Sequence, residues 1–157
     1  MTYKCILGCD PGLSGAIALY YPDHPMHIAC FDMPTNDDGV DGYALSKIVN
    51  QFMPDVAFVE KVHSMPKQGV SSTFTFGEAY GVAKGVFSAL NIPIELVSPR
   101  TWKKEFDLTS DKNESLELAR AMWPKSEHFK RKKDNGRAEA GLLCMYGFKS
   151  QFYKKDK

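Results

Sequence analysis

The segment that most restricts the fold is Val56-Ala57-Phe58-Val59, a continuous apolar run that ends at Glu60. A strand with one face in water alternates apolar and polar residues, so an unbroken apolar run is typical of a strand buried on both faces. Such a strand lies inside a sheet that other elements cover on each side. The segment therefore predicts an α/β domain with a central sheet flanked by helices.

The rest of the chain supplies the partners of this strand. Pro11-Gly12-Leu13-Ser14-Gly15 has turn chemistry between two apolar runs, which predicts a hairpin before the central strand. Apolar spacing and capping residues predict the helices. The predicted elements are strands over 5–9, 16–20, 26–33, 56–59 and 92–97, and helices over 45–52, from Ser71 or Ser72 to about 90, after Ser98-Pro99, from Thr109-Ser110-Asp111 to 124, and over 136–148. This order predicts a five-stranded mixed sheet flanked by helices in one domain over residues 1–150, followed by a basic tail over 151–157.

Composition limits the class of protein. The chain has 157 residues, 43% of them hydrophobic and 25% charged, which is ordinary for one globular domain. Its apolar runs are far shorter than the roughly 20 residues needed to cross a bilayer, so no membrane partner is expected. The four cysteines have no Cys-x-x-Cys pair, which favours buried thiols in a reducing compartment over a disulfide or zinc site. We expect a cytoplasmic location.

Charge is distributed unevenly along the chain. Residues 1–57 carry two basic and seven acidic side chains, whereas residues 100–157 carry fifteen basic and nine acidic ones. The net charge of +1 thus combines an acidic first third with a basic last third. A basic surface favours a polyanionic partner such as nucleic acid, although an ordinary solvated surface has the same composition.

Gly77, Gly81 and Gly85 lie four residues apart in the predicted second helix. Glycine lowers helix stability, so a stripe at this spacing indicates that another backbone comes close. That backbone belongs either to the chain's own sheet or to a second subunit.

Three carboxylates stand where apolar residues are expected. Asp10 and Glu60 each end an apolar strand, and Glu139 shares a helical face with Leu142 and Leu143. A charge in such a place is costly unless something compensates it, and a metal ion is a common compensation for clustered carboxylates. Asp10 has a simpler alternative reading as the start of a turn. If the three converge, they can bind a pair of Mg²⁺ ions, and the implied chemistry is phosphodiester hydrolysis.

Four segments resemble the RuvC-like Holliday junction resolvases, in particular the short phage-encoded members. These segments occur in the order found in that family: GCDPGLSGAIAL from Gly8, FVEKV from Phe58, FGEAYGVAKGV from Phe76, and GRAEAGLL from Gly136. The resemblance implies a ribonuclease H-like fold, a homodimer and nicking of four-way DNA junctions that depends on two Mg²⁺ ions per site, with Mn²⁺ as a substitute.

The resemblance also assigns the metal site. Asp10, Glu60 and Glu139 match the family's first aspartate, its strand-ending glutamate and its last acidic residue. The family's fourth ligand precedes the last one by three or four residues, where this chain has Gly136 and Asn135. Either Asp134 serves instead, or Asn135 replaces an aspartate, naturally or by engineering. At about 100° per residue Asn135 lies roughly 40° from Glu139 on the helix and is the better placed of the two. Asp134 lies roughly 140° away if the helix begins that early, so it can reach the site only from a non-helical N-terminus.

The resemblance further points to DNA-binding residues. His63 occupies the position of an aromatic wedge in many bacterial relatives, and Lys103 and Lys112 look like the family's functional lysines. Ordinary loop and surface roles are the alternatives for all three. Other basic residues near the predicted site complete the set of DNA-binding candidates: Lys67, Lys130, Arg131, Lys132, Lys133 and Arg137.

The sequence therefore predicts a crossover junction endodeoxyribonuclease, a metal-dependent enzyme that resolves branched DNA by paired nicks. Two alternatives remain open. One is a junction-binding protein with impaired or absent catalysis, because Asn135 stands at a usual carboxylate position. The other is a ribonuclease H-like nuclease that acts on flaps, replication forks or RNA hybrids.

Overall fold

Five strands form one mixed sheet in the computed structural model, which describes residues 2–153. The strands in chain order are β1 Ile6–Asp10, β2 Ala16–Tyr20, β3 Ala29–Asp32, β4 Thr35–Asn36, β5 Gly39–Val40, β6 Val56–Glu60 and β7 Ile94–Val97. The sheet order is β3-β2-β1-β6-β7, and β4 and β5 form a separate two-stranded ribbon. The pairs β1–β2 and β2–β3 are antiparallel, whereas β1–β6 and β6–β7 are parallel. The predicted fold class is confirmed.

Helices cover both faces of this sheet. They are α1 Gly42–Phe52, α2 Val70–Ala89, α3 Pro99–Glu105, α4 Lys112–Met122 and α5 Asn135–Tyr153, with short 3₁₀ turns at Glu127–Phe129 and Lys132–Asp134. Alternate residues of the central strand enter different cores: Ala57 and Val59 pack in the core that contains residues of α1 and α2, and Val56 and Phe58 in the core that contains residues of α4 and α5. Burial of β6 on both faces explains its unbroken apolar sequence.

Helix α5 lies unusually close to β1. A β-carbon at Gly8 would collide with the carbonyl oxygen of Ala140, so only glycine permits this approach. The Cys144 thiol fits into the same contact and donates to the carbonyl oxygens of Ile6 and Ala18 at 3.4 Å each. The contact fixes α5 along the sheet and thereby places Glu139 beside the end of β1.

Several boundaries differ from the sequence prediction. The third strand begins at Ala29 rather than Met26, because the amide of His27 closes a turn onto the carbonyl oxygen of His24. Helix α2 begins after Gly69, which has no side chain with which to cap it, rather than after Ser71 or Ser72. The last helix extends five residues past Phe148 and includes 151–153, and the remainder of the expected basic tail, 154–157, lies outside the described residues.

The glycine stripe of α2 faces outward. Ala79, Ala83 and Phe87 are the buried residues of this helix, whereas a β-carbon at Gly77, Gly81 or Gly85 would meet nothing within 4 Å. The interpretation that the stripe packs on the chain's own sheet is therefore wrong. The four cysteines are buried and free, and none of the helices within residues 2–153 is long and apolar enough to cross a membrane.

Candidate active site

Asp10 and Glu60 end adjacent parallel strands. Asp10 is the last residue of β1 and Glu60 the last of β6, and the preceding residues Cys9 and Val59 are paired across the two strands. Parallel strands end at the same edge of a sheet, so the two carboxylates lie side by side. The turn after β1 is tight, because a β-carbon at Gly15 would collide with the carbonyl oxygen of Asp10.

Glu139 completes the cluster from α5. The three carboxylates of Asp10, Glu60 and Glu139 each offer an oxygen, and these oxygens all lie within 4.8 Å of one another. Glu139 is only 6% exposed. An all-oxygen donor set at this spacing fits a hard divalent cation such as Mg²⁺ or Mn²⁺.

The cluster carries more negative charge than its surroundings compensate. Burial raises the pKa of Asp10 well above its usual value, and the nearby carboxylates of Glu139 and Glu60 raise it further, against a smaller opposing effect of Lys112 and Lys103. Burial also raises the pKa of Glu60, which a hydrogen bond from Trp102 opposes. Mutual repulsion of this kind is relieved when a cation binds, so the site is poised to hold one.

An open pocket of about 740 Å³ gives access to these carboxylates. The turn after β1, the first half of α2, and the starts of α3, α4 and α5 form its walls. The lining residues are Asp10, Pro11, Gly12, Leu13, Ser14, Gly15, Glu60, Ser72, Thr75, Phe76, Pro99, Lys103, Lys112, Lys133, Asn135 and Glu139.

Known proteins resemble the chain in structure but not in sequence. No protein-family model matches the chain, and no curated protein matches it by sequence. T. thermophilus RuvC, solved in complex with a Holliday junction substrate, is 15% identical with a TM-score of 0.64, over 94% of this chain and 95% of that one. The Fowlpox virus resolvase, solved with substrate Holliday junction DNA, is 17% identical with a TM-score of 0.57, over 94% and 98% of the two chains.

The chain has the RuvC-type resolvase fold. A second Thermus thermophilus RuvC structure agrees at 14% identity and a TM-score of 0.63, over 94% of this chain and 96% of that one. The likeness spans nearly the whole of both chains, so it concerns the fold of the domain as a whole.

Within this RuvC-type fold, Asp134 and Asn135 have different surroundings. The Asp134 side chain is 1% exposed, and three groups of Arg131 contact its carboxylate. The backbone amide of Arg131 donates to it at 2.7 Å and Nε at 2.9 Å, and Nη2 of Arg131 forms an ion pair with it at 2.7 Å. Burial alone would raise the pKa of Asp134, but the hydrogen bonds from Arg131 lower it. Asp134 is not among the three clustered carboxylates, whereas Asn135 lines their pocket.

Three of the predicted DNA-binding lysines line the pocket. Lys103 enters it from α3, Lys112 from the first turn of α4, and Lys133 from the 3₁₀ turn before α5. Nζ of Lys103 lies 3.6 Å from Oε1 of Glu139. These three lysines bring positive charge into the same pocket as the clustered carboxylates.

The other predicted DNA-binding residues lie outside the pocket. Arg131 and Arg137 are engaged with Asp134 and with Asp32 of β3, and Lys130 pairs with Glu127. Lys132 and Lys67 are exposed. His63 lines a smaller cleft that shares Phe76 with the acidic pocket.

Sequence reasoning missed four residues around the site. Trp102 is buried and donates to Glu60, and Phe76 lines both the acidic pocket and the cleft at His63. Arg100 and Lys104 line a second cleft beside the pocket and have no ion pair within the described part of the chain. Arg100 and Trp102 lie just before Lys103 in the sequence Arg-Thr-Trp-Lys, but nothing in the spacing indicates which of these side chains turns toward the carboxylates.

Proposed function

We propose that this protein is a Mg²⁺-dependent endodeoxyribonuclease that resolves Holliday junctions by paired nicks. The observation that carries the proposal is the cluster of Asp10, Glu60 and Glu139, whose oxygens lie within 4.8 Å of one another in a RuvC-type fold. The structural relatives were solved with Holliday junction DNA, and the lysines on the pocket rim suit a phosphodiester substrate.

The chain's own residues have different roles in such a reaction. Asp10, Glu60 and Glu139 hold the cations, and the amide oxygen of Asn135 is the proposed fourth ligand. Bound Mg²⁺ supplies activation of the attacking water and stabilisation of the departing 3′ oxygen. Lys103 and Lys112 orient the scissile phosphate by charge. Since Asn135 lacks the negative charge of an aspartate, we expect weaker cation binding than four carboxylates would give.

A homodimer would present two such sites to the two strands that must be cut. The outward glycine stripe of α2 supports this part of the proposal, because its backbone is open to close approach by another helix. Exposed apolar side chains on the first turns of α2, Val70 and Phe74, extend the same surface toward the pocket. The four buried thiols suit the reducing cytoplasm as the place of action.

The test uses a labelled four-way junction, with a flap, a fork and an RNA–DNA hybrid as competitors. We expect symmetrical nicks in Mg²⁺ and in Mn²⁺, and none with D10N or E60Q. Junction binding in Ca²⁺ should persist in both variants, because they keep the fold and the basic rim. Preferential cleavage of a flap, fork or hybrid would contradict junction specificity while leaving the nuclease assignment intact.

Asn135 favours a second candidate, a junction-binding protein without catalysis. In that case the unaltered chain binds the four-way junction but does not nick it in either metal. Cleavage by N135D under the same conditions would identify Asn135 as the cause. Binding without cleavage by both forms would establish a pure binding function.

A further inference from the structure

Trp102 makes a direct contact with the acidic cluster. Its indole ring is fully buried, and Nε1 donates to Oε2 of Glu60 at 2.8 Å. The short helix α3 places the ring there: Ser98 caps the helix by accepting from the amide of Thr101, and Pro99 occupies its first turn. The next residue along α3, Lys103, approaches Glu139 at 3.6 Å. One short helix thus contacts two of the three clustered carboxylates.

The hydrogen bond from Trp102 fixes the orientation of the Glu60 carboxylate but leaves acceptor positions on it free for a cation. An indole nitrogen can only donate, and a buried N–H without an acceptor is costly, so Trp102 holds this partner firmly. A carboxylate offers about four acceptor positions. The hydrogen bond therefore uses one position on Oε2 and leaves Oε1 and the remaining lone pairs free to bind a cation.

We propose that Trp102 is a positioning residue that orients the Glu60 carboxylate for divalent-cation binding. The inference rests on the proposed function, because it takes the acidic cluster as a cation site. Carboxylates that bind metals are commonly oriented by outer hydrogen-bond partners, and loss of such a partner typically lowers metal affinity by about 10–100-fold. A side chain that served only as core packing would have no such effect.

The chain offers a matched control, since Trp123 is its only other tryptophan. Trp123 is 2% exposed, and its ring centroid lies 5.7 Å from that of Phe129, on the α4–α5 side of the sheet. It does not line the acidic pocket. W102F and W123F therefore each remove a buried indole, but only W102F removes the hydrogen bond to Glu60.

The first measurement is tryptophan fluorescence during a Mg²⁺ titration of the metal-free protein. In W123F the only indole is Trp102, and we expect Mg²⁺ to shift its emission because the cation polarises the carboxylate to which it donates. In W102F the only indole is Trp123, and its emission should not respond. A flat titration in W123F would overturn the inference, and this measurement does not require Trp102 to be replaced.

The second measurement is the Mn²⁺ affinity of each variant by calorimetry, with thermal unfolding in EDTA to compare their folding. We expect W102F to bind Mn²⁺ at least about tenfold more weakly than W123F, which should match the unaltered chain. Equal affinity in W102F and W123F would overturn the role of Trp102 and leave the proposed nuclease standing. Absence of Mn²⁺ binding in the unaltered chain would overturn both.

Discussion

Nζ of Lys103 lies 3.6 Å from Oε1 of Glu139, and both side chains are largely buried, at 18% and 8% exposure. The ammonium group therefore occupies the place beside the carboxylates that a divalent cation would also favour. Lys103 therefore offsets part of the negative charge of the cluster, and under the proposed function the same ammonium group would also contact the scissile phosphate.

Replacing Lys103 with methionine should separate these two effects. We expect K103M to bind Mn²⁺ roughly three- to tenfold more tightly, which corresponds to about 0.7–1.4 kcal/mol, because a competing positive charge is removed. Junction cleavage should nevertheless fall, since the lysine no longer contacts the phosphate. Calorimetry and nicking assays measure the two quantities. K104M is the matched control, because Lys104 is exposed and lies outside the pocket, and equal Mn²⁺ affinities in K103M and K104M would contradict the prediction.

Asn135 gives the second prediction. N135D adds a carboxylate to the pocket wall, so we expect Mn²⁺ affinity and the rate of junction cleavage each to rise by about tenfold or more. Junction binding in Ca²⁺ should change much less, because the basic rim is unaltered. N135A is the companion variant and should lose Mn²⁺ affinity. If N135D and N135A both bind Mn²⁺ like the unaltered chain, Asn135 is not a ligand.

The sequence predicted the parts of the site that follow from strand geometry. Asp10 and Glu60 were singled out because each ends an apolar strand, and in the structure β1 and β6 are parallel neighbours whose ends lie at one edge of the sheet. Glu139 followed from the apolar face of its helix. These inferences depend only on the periods of strands and helices.

Other features of the site could not be predicted, because they depend on the direction in which short or irregular segments point a side chain. The 3₁₀ turn at Lys132–Asp134 places the Asp134 carboxylate against Arg131, and Asp134 does not line the pocket. Trp102 is directed to Glu60 by a helix of seven residues. In α2, small residues lie on two faces, and the alanines rather than the glycines pack inward. No periodicity distinguishes these outcomes.

The Asp134–Arg131 pair gives the third prediction, which concerns stability. D134N removes the charge that the half-exposed Arg131 contacts, so we expect a loss of about 1–2 kcal/mol of unfolding free energy at pH 7. Because the folded-state pKa of Asp134 is lowered, its contribution is present above the unfolded value of about 3.9 and lost as pH falls through the folded value. The difference between D134N and the unaltered chain in urea unfolding should therefore shrink below about pH 4. Mn²⁺ affinity of the folded variant should be preserved, and its loss would identify Asp134 as a ligand after all.

The outward face of α2 gives the fourth prediction. G81R places a long charged side chain where nothing lies within 4 Å in the single chain, so the fold should be retained. If two subunits pack through the glycine stripe, G81R should shift the protein to monomer in analytical ultracentrifugation. E117R is the control, because it places an arginine at an exposed position of α4, on the opposite side of the sheet from α2, and should leave the mass unchanged. A dimer of undiminished affinity in G81R would exclude this face as the interface.

The last prediction concerns D10N, a variant that should lose the proposed activity but become more stable in the absence of metal. The folded-state pKa of Asp10 is raised by burial, Glu139 and Glu60, so its contribution to stability is full below the unfolded value of about 3.9 and is lost as pH rises through the folded value. D10N removes this ionisation. In EDTA at pH 8 its free energy of unfolding should be about 1–2 kcal/mol larger than that of the unaltered chain, and its melting temperature roughly 2–8 °C higher. The gain in stability should diminish toward pH 4.

Saturating Mg²⁺ should make the unaltered chain the more stable of the two. Binding of Mg²⁺ at 100 times Kd stabilises a protein by about 2.7 kcal/mol, and only the chain that binds the cation gains this. D38N, at an exposed aspartate in the β4–β5 turn, should show neither effect. A D10N protein no more stable than the unaltered chain in EDTA at pH 8 would mean that the cluster is not repulsive without metal.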